Sequence, residues 1–331
     1  MLGSLPSIPF TSEPSKVEEL PNLRIALRGG LPAGARRADE GPRLLVKRDD
    51  ALPFAFGGNK IRKMQLIAAE ARDSGAQTLI TCGGVQSNHA RVTAAVGAKL
   101  NMRVILVVNT PDGAPPARPA ANALLDSLLG AQVRYVAMRE QRAAAMEEAA
   151  ADERTAGRPA YIVPLGASTP LGAAGFALAV EELLKQIPPP DAIVHATSSG
   201  GTQAGLIAGC ALAGVPTRVI GISADEPADA LQKTIAGILE GLETLARVPR
   251  GRFSGRNIEI DDTFVGGGYG VPTPESREAI ELAARREAIF LDPTYTAKAM
   301  AAMIAYCRRR VFGRDETVVF WHTGGQVGLF A

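Results

Sequence analysis

The chain has 331 residues, 46% hydrophobic and 21% charged, with a net charge of +2 from 36 basic and 34 acidic residues. This is the composition of an ordinary globular protein, long enough for a large core and about two domains; so balanced a charge favours neither nucleic acid nor an anionic membrane as partner. No apolar run is long enough to span a bilayer. The three histidines (His89, His195, His322) form no paired motif, and the three cysteines (Cys82, Cys210, Cys307) lie far apart. A zinc site and a disulfide framework are therefore not expected, and a reducing compartment is.

The opening "MLGSLPSIPF" has no basic region followed by an apolar run, so no signal peptide is expected. Next comes "VKRDD", then "GGNKIRK" (57–63), two glycines and an asparagine before three cations within four residues. Lys60 is singled out there as the amine beside the glycines, while Arg62 and Lys63 read as surface charges. In "IRKMQLIAAEARDSG", Ile61, Met64, Ile67 and Ala71 share one helical face, and Gly75 is a natural stop. Short β-branched runs then alternate with helical patterns. "TLIT" (78–81), "RVILVV" (103–108), "QVRYV" (132–136) and "AYIVP" (160–164) read as buried strands, separated by "NHARVTAAVGAKL", "NALLDSLLG" and "MREQRAAAMEEAAADERTAG" as helices. A second series follows: "AIVHAT" (192–197), "RVIGISA" (218–224), "AIFLD" (288–292) and "TVVFWHT" (317–323). Such alternation predicts an α/β protein with parallel sheets and helices on both faces, in two units meeting at a cleft.

Ligands in such sheets bind beyond the carboxyl ends of the strands. After "TLIT" comes "CGGVQSNHA", where glycines 83 and 84 are expected to turn the chain and Ser87 or Asn88 to cap a helix. After "AIVHAT" comes "SSGGTQAGL", glycines and hydroxyls leading into a helix whose first turn has no acid. Exposed N–H groups, the helix dipole and the hydroxyls of Ser198, Ser199 and Thr202 make a seat for one phosphate. The turn lacks both the P-loop lysine and the dinucleotide fingerprint, which argues against a nicotinamide dehydrogenase. "FVGGGYG" (264–270) and "LDPTYTAKAM" (291–300) place Tyr269 and Tyr295 near strand ends, and Thr323 opens a last glycine turn. One amine, one phosphate seat, hydroxyls and phenols, with no acid pair and no metal set, fit pyridoxal phosphate held covalently by a lysine.

"VKRDD…GGNKIRK", "TCGGVQSNHARVTAA", "TSSGGTQAGL", "DPTYTAKAM" and "FWHTGGQVGLF" occur in the order seen in the D-cysteine desulfhydrase and 1-aminocyclopropane-1-carboxylate deaminase family, which the chain resembles over roughly residues 40–331. The resemblance implies a two-domain tryptophan-synthase-β-like fold (fold type II). Residues 1–60 and 165–331 would form a large cofactor-binding domain. Residues 61–164 would form a small domain carrying the substrate-carboxylate turn, with the active site in the cleft between them. It implies pyridoxal 5'-phosphate as cofactor, no metal, a small amino acid as substrate and a cytoplasmic homodimer. Lys60 would anchor the cofactor, Asn88 would bond its phenolic oxygen, and Ser199, Gly200, Gly201 and Thr202 would hold its phosphate. Thr323 would face the ring nitrogen as a weak proton donor. Ser87, Asn88, His89 and Thr296 would meet the substrate, and Tyr269 and Tyr295 the reacting carbon. Ser198 stands where many relatives have glycine.

Thr296, Thr323 and His89 match the desulfhydrase pattern, where the cyclopropane deaminases tend to carry Glu, Leu and Gln. The expected activity is β-elimination from D-cysteine to pyruvate, hydrogen sulfide and ammonia. Lys60 is the leading base for the α-proton, with Tyr295 or Tyr269 next. Cyclopropane ring opening, L-cysteate sulfo-lyase activity, and elimination from another β-substituted amino acid stay open, as does racemisation. So does a non-catalytic protein that binds an amino acid or the cofactor.

Overall fold

The computed structural model describes residues 2–27 and 41–331; part of the expected 1–60 segment therefore lies outside the described residues. In chain order the elements are β1 (Val17–Glu19), α1 (Pro21–Ala26), β2 (Arg43–Arg48), α2 (Lys60–Asp73), β3 (Thr78–Gly84), α3 (Asn88–Leu100), β4 (Arg103–Asn109), α4 (Ala121–Leu128), β5 (Gln132–Val136) and α5 (Gln141–Thr155). They continue as β6 (Ala160–Ile162), α6 (Pro170–Leu184), β7 (Ala192–Thr197), α7 (Gly201–Ala213), β8 (Arg218–Ser223), α8 (Ala228–Ala246), β9 (Glu259–Asp261), α9 (Pro274–Glu287), α10 (Thr296–Arg308) and β10 (Thr317–His322).

The strands form two sheets, one ordered β1-β2-β10-β7-β8-β9 and the other β5-β4-β3-β6. Every pairing is parallel except β1 with β2. Both faces of the larger sheet are covered. Val319 and Trp321 of β10 enter an apolar cluster with α6, α7 and α8, while Val318 and Phe320 enter another with α9 and α10. This is the period-2 alternation of a strand buried on both sides. In the smaller sheet Leu79 and Leu106 meet α2 and α3, and Ile80 and Ile105 meet α5. Among the described residues no helix is long and apolar enough to cross a membrane.

Three readings need correction. "AIFLD" is not a strand. Ala288 ends α9 in the left-handed conformation (φ 53°), and Ile289 and Leu291 are buried beneath α10 without a ladder partner. The edge position beside β8 is filled instead by the three-residue β9. Glycines 83 and 84 do not make the turn but end β3; a Cβ on Gly83 would lie 2.5 Å from the Ser87 hydroxyl. The third correction concerns "GGNKIRK", because neither Arg62 nor Lys63 is a surface charge. They are 8% and 1% exposed.

Arg62 is the tie between α2 and the larger sheet. Its Nε and Nη2 donate to the two Asp49 oxygens at 2.8 and 2.7 Å, and it also donates to Glu182 at 2.9 Å. The fully buried Asp49 also accepts from Trp321 Nε1 and Ser15 Oγ, both at 2.8 Å. Glu182 in turn accepts from Lys47 Nζ at 2.5 Å. Burial alone would raise the Asp49 pKa; the Arg62 charge and these donors outweigh it and hold the carboxyl below its ordinary range. Removing one partner leaves an uncompensated charge in the core, so Arg62→Leu should cost about 3–5 kcal/mol of unfolding free energy in a urea titration. A loss under about 1 kcal/mol, the worth of a single ordinary hydrogen bond, would mean that Trp321 and Ser15 suffice for Asp49.

Candidate active site

A cavity of about 770 Å³ is lined from both sheets. From the smaller-sheet side come Cys82, Gly83, Ser87, Asn88, His89, Asn109 and Arg142; from the other come Thr197, Ser199, Gly200, Thr202, Tyr269, Tyr295 and Thr323, with Lys60 between. The site residues read from sequence converge here, apart from two. Thr296 is fully buried, and its hydroxyl donates to Asp292 Oδ1 at 2.7 Å and accepts from Asp292 N at 2.8 Å. It braces the loop below Tyr295 and is not placed to meet a substrate. Gly201 does not line the cavity either. Its N–H donates to Ser199 O at 3.0 Å and to Ser168 Oγ at 3.3 Å, and any Cβ there would lie 2.9 Å from Lys63 Nζ.

Lys60 opens α2 directly after three residues of tightly constrained loop. Gly57 and Gly58 have φ of 72° and 109°, and Gly324, beyond β10, comes so close that a Cβ on it would lie 2.6 Å from the Gly58 Cα. Two glycine turns thus pack backbone on backbone. The Lys60 amine donates to Asn59 Oδ1 at 3.1 Å, and among the described residues no carboxylate is hydrogen-bonded to it. Burial, aided by the nearby Arg91 charge, lowers its pKa to about 8.

Beside it, Gly200 (φ 77°) opens α7. Asn59 Nδ2 donates to Thr202 Oγ1 at 2.9 Å, and Ser199 and Ser168 hydroxyls lie 2.7 Å apart. Thr197 Oγ1 is buried with no hydrogen-bond partner among the described residues. Lys63, which the sequence pattern does not mark, sends its amine to Gly166 O and Ser168 Oγ, both at 3.1 Å, with no acid in hydrogen-bond or ion-pair contact among the described residues. A buried ammonium beside a glycine turn at a helix N-terminus lacks an anion, and a phosphate supplies one. The donor set therefore fits pyridoxal phosphate: Lys60 would hold it covalently, and Thr202, Ser199, Gly200 and Lys63 would hold its phosphate.

Ser87 N-caps α3, accepting from Ala90 N at 3.2 Å, and so brings that helix's N-terminus to the cavity. Asn88 Oδ1 accepts from Arg91 Nη1 at 2.9 Å and Asn122 Nδ2 at 3.1 Å, which leaves its own Nδ2 as the free donor. His89 Nε2 lies 2.8 Å from Thr81 Oγ1, and burial keeps the ring neutral, well below the usual pKa. The Tyr269 and Tyr295 hydroxyls lie 2.5 Å apart. Burial raises both phenol pKa values, Tyr295 well above the ordinary one, so both stay protonated. Two further residues fix them. Asp292 Oδ2 accepts from Thr294 N and Tyr295 N at 2.9 and 2.8 Å. Lys298, buried, donates to the carbonyls of Ala224, Val265 and Gly268 at 2.8–2.9 Å and so pins the glycine loop that carries Tyr269. "DPTYTAKAM" holds both signals, in an acid before proline and a lysine inside an apolar helical face.

The chain matches the family model described as pyridoxal-phosphate dependent enzyme over residues 31–324. A crystal structure titled as the ACC deaminase homologue is 30% identical, with a TM-score of 0.88, covering 99% of this chain and 94% of that one. An L-serine ammonia-lyase from Rhizomucor miehei (18% identity, TM-score 0.66, 95% and 94% covered) and threonine deaminase isoform 2 from Solanum lycopersicum (18%, 0.64, 94% and 79%) share the fold. The chain belongs to the pyridoxal-phosphate dependent enzyme family. The fold is of type II and the cofactor is pyridoxal 5'-phosphate.

The lowered pKa has a direct readout. In cofactor-free protein, acylation of Lys60 followed by peptide mass spectrometry should rise with pH and reach half its maximum near pH 8. A midpoint at about 10 or above, the range of a solvated amine, would show that the site does not desolvate it.

Proposed function

We propose that this protein is a lyase that eliminates a β-substituent from a small amino acid, with D-cysteine desulfhydrase the favoured assignment. The observation that carries the reading is the pairing of one base with two acids around one cavity. Lys60 has an amine whose pKa is lowered to about 8, and the adjoining Tyr269–Tyr295 pair is held protonated. When bound, pyridoxal phosphate supplies the electron sink that makes an α-proton acidic. The Lys60 amine takes that proton. The phenols, which stay protonated and so are not available as bases, donate to the departing sulfur. Ser87 and the N-terminus of α3 hold the α-carboxylate, and Asn88 Nδ2 is presented by Arg91 and Asn122 as a donor.

Thr323, which lines the cavity, and His89 support the desulfhydrase assignment over cyclopropane ring opening by their match to that pattern. Thr296 belongs to the same pattern through its brace on Asp292. The two sheets support a division into a large domain (1–60 and 165–331) and a small one (61–164). Three free cysteines agree with a cytoplasmic location. From the resemblance we adopt a homodimer, which light scattering would check.

D-Cysteine should yield pyruvate, sulfide and ammonia in equal amounts, and Lys60→Ala should abolish turnover. Near-normal activity of Lys60→Ala without added amine would exclude this mechanism. Tyr295→Phe should lower kcat by about 10²–10⁴-fold if it transfers a proton; a change under about threefold would leave it a packing role only.

A further inference from the structure

Arg91, on α3, is 1% exposed and does not line the cavity, yet its guanidinium reaches three elements that shape it. Nη1 donates to Asn88 Oδ1 at 2.9 Å, in the first turn of α3, and to Asn122 Oδ1 at 2.7 Å, on α4. Nη2 donates to Gly57 O at 3.1 Å, in the loop that delivers Lys60. Among the described residues no carboxylate is hydrogen-bonded or ion-paired to it. The acid whose charge acts on it is Asp126 of α4, 4% exposed, whose buried Oδ1 has no hydrogen-bond partner among the described residues. Burying a guanidinium away from its acid costs stability, and such departures belong at functional sites.

Three acceptors in three directions suit a planar guanidinium better than a single ammonium. They also fix two amides. A guanidinium only donates, so Asn88 and Asn122 both turn their oxygens to it. Asn122 then spends its Nδ2 on Gln86 O at 2.9 Å and Asn88 Oδ1 at 3.1 Å. Asn88 keeps its Nδ2 for the cavity, against a turn where a Cβ on Gly325 would lie 3.0 Å from that nitrogen. Without Arg91 the Asn88 amide is free to turn over and set an oxygen against the cofactor's phenolic oxygen, acceptor against acceptor.

We infer that Arg91 is a positioning residue for the cofactor: its fork fixes the Asn88 amide and the Lys60 loop, and its charge acts on the Lys60 amine because Asp126 is held back from it on α4. The ionisable groups acting on one another around Lys60 are Arg91, Asp292, Lys63 and His89. Burial drives the Lys63 pKa well down and keeps His89 neutral, so Arg91 is the lasting positive charge among them. Asp126 is the acid acting on Arg91, with Tyr135 beside it. An acid bonded directly to Arg91 would cancel the guanidinium's field at Lys60. One held back on α4 supports the guanidinium's charge and leaves that field in place. The inference rests on the reading of Lys60 as the reacting amine and goes beyond it by naming what prepares that amine.

Two substrate-free measurements test it. In cofactor-free protein the pH midpoint of Lys60 acylation should rise by about one unit in Arg91→Gln and stay within about 0.3 unit of the wild type in Arg91→Lys, which keeps the charge without the fork. Asp126→Asn removes the opposing charge and should lower the midpoint by about half a unit. No rise in Arg91→Gln or, should that variant not fold, no fall in Asp126→Asn would overturn the role of the charge. The fork is read by titrating cofactor-free protein with pyridoxal phosphate. Arg91→Lys and Asn88→Ala should each weaken binding about tenfold, and the double variant should match Asn88→Ala within about threefold. Losses that multiply in the double variant would overturn the action on Asn88. Borohydride trapping keeps the two readings apart. Cofactor fixed to another lysine would overturn the Lys60 reading, whereas cofactor on Lys60 with an unmoved midpoint in Arg91→Gln would overturn this inference alone.

Discussion

Withdrawal of three cations from bulk water in a single helical turn, Arg62 and Lys63 buried and Lys60 half-buried at the cavity, is the constraint on which the site depends. Lys60, Arg62 and Lys63 all leave bulk water, and each does so on different terms. Arg62 meets two carboxylates and keeps its charge, with its pKa pushed further up. Among the described residues Lys63 has only a carbonyl and a hydroxyl, and its pKa is driven well down. Lys60 has an amide oxygen and a neighbouring guanidinium. Desolvating an ion costs several kcal/mol unless a partner offsets it. The acids Asp49 and Glu182 sit on the Arg62 side of α2, and so the helix has one charged anchor and two amines that the folded chain holds poorly as ammonium ions. Under the proposed function, that asymmetry would make one lysine a nucleophile and the other a receptor for phosphate.

Around this turn the scaffold is built by close approaches that side chains would forbid. Gly58 meets Gly324, Gly83 makes room for Ser87, and Gly201 makes room for Ser168 and Lys63. Each contact joins a strand end to a helix start, which is where an open parallel sheet presents ligands. The phenol pair is held by the same logic with polar groups. Asp292 takes the N–H of Tyr295, and Lys298 gathers three carbonyls beneath Tyr269. Asp292 and Lys298 do not line the cavity; they act by fixing residues that do.

Much of this is legible in the chain. Long periodic segments such as "NHARVTAAVGAKL" and β-branched runs such as "RVILVV" carry their structure in local pattern, and both sheets follow from their order. What escapes is set by distant partners. "AIFLD" has the composition of a strand, but the edge it would occupy belongs to β9, and a left-handed Ala288 takes it out of register. β2 does not stand out as a strand because its charges, Lys47 and Arg48, are paired within the fold and do not reach solvent. Motif order is what carries the candidate site, and Lys60, Ser87, Asn88 and both tyrosines do line one cavity. It misleads at Thr296, whose hydroxyl is consumed by an acid four residues earlier. It is silent on Lys63, because a lysine inside a charged run looks solvated.

Charge balance decides what the cavity can hold. Under the proposed function, a phosphate would answer Lys63 and the α7 N-terminus, and an α-carboxylate would answer the α3 N-terminus behind Ser87. Arg139 is already matched by Asp225 and Glu226. Arg91 is buried against the amides of Asn88 and Asn122 and the Gly57 carbonyl. Burial lowers its pKa to about 10, and the nearby Asp126 charge limits the fall. Arg142 is held at the cavity wall by the Asn109 amide oxygen, and burial lowers its pKa as it does those of Lys60 and Arg91.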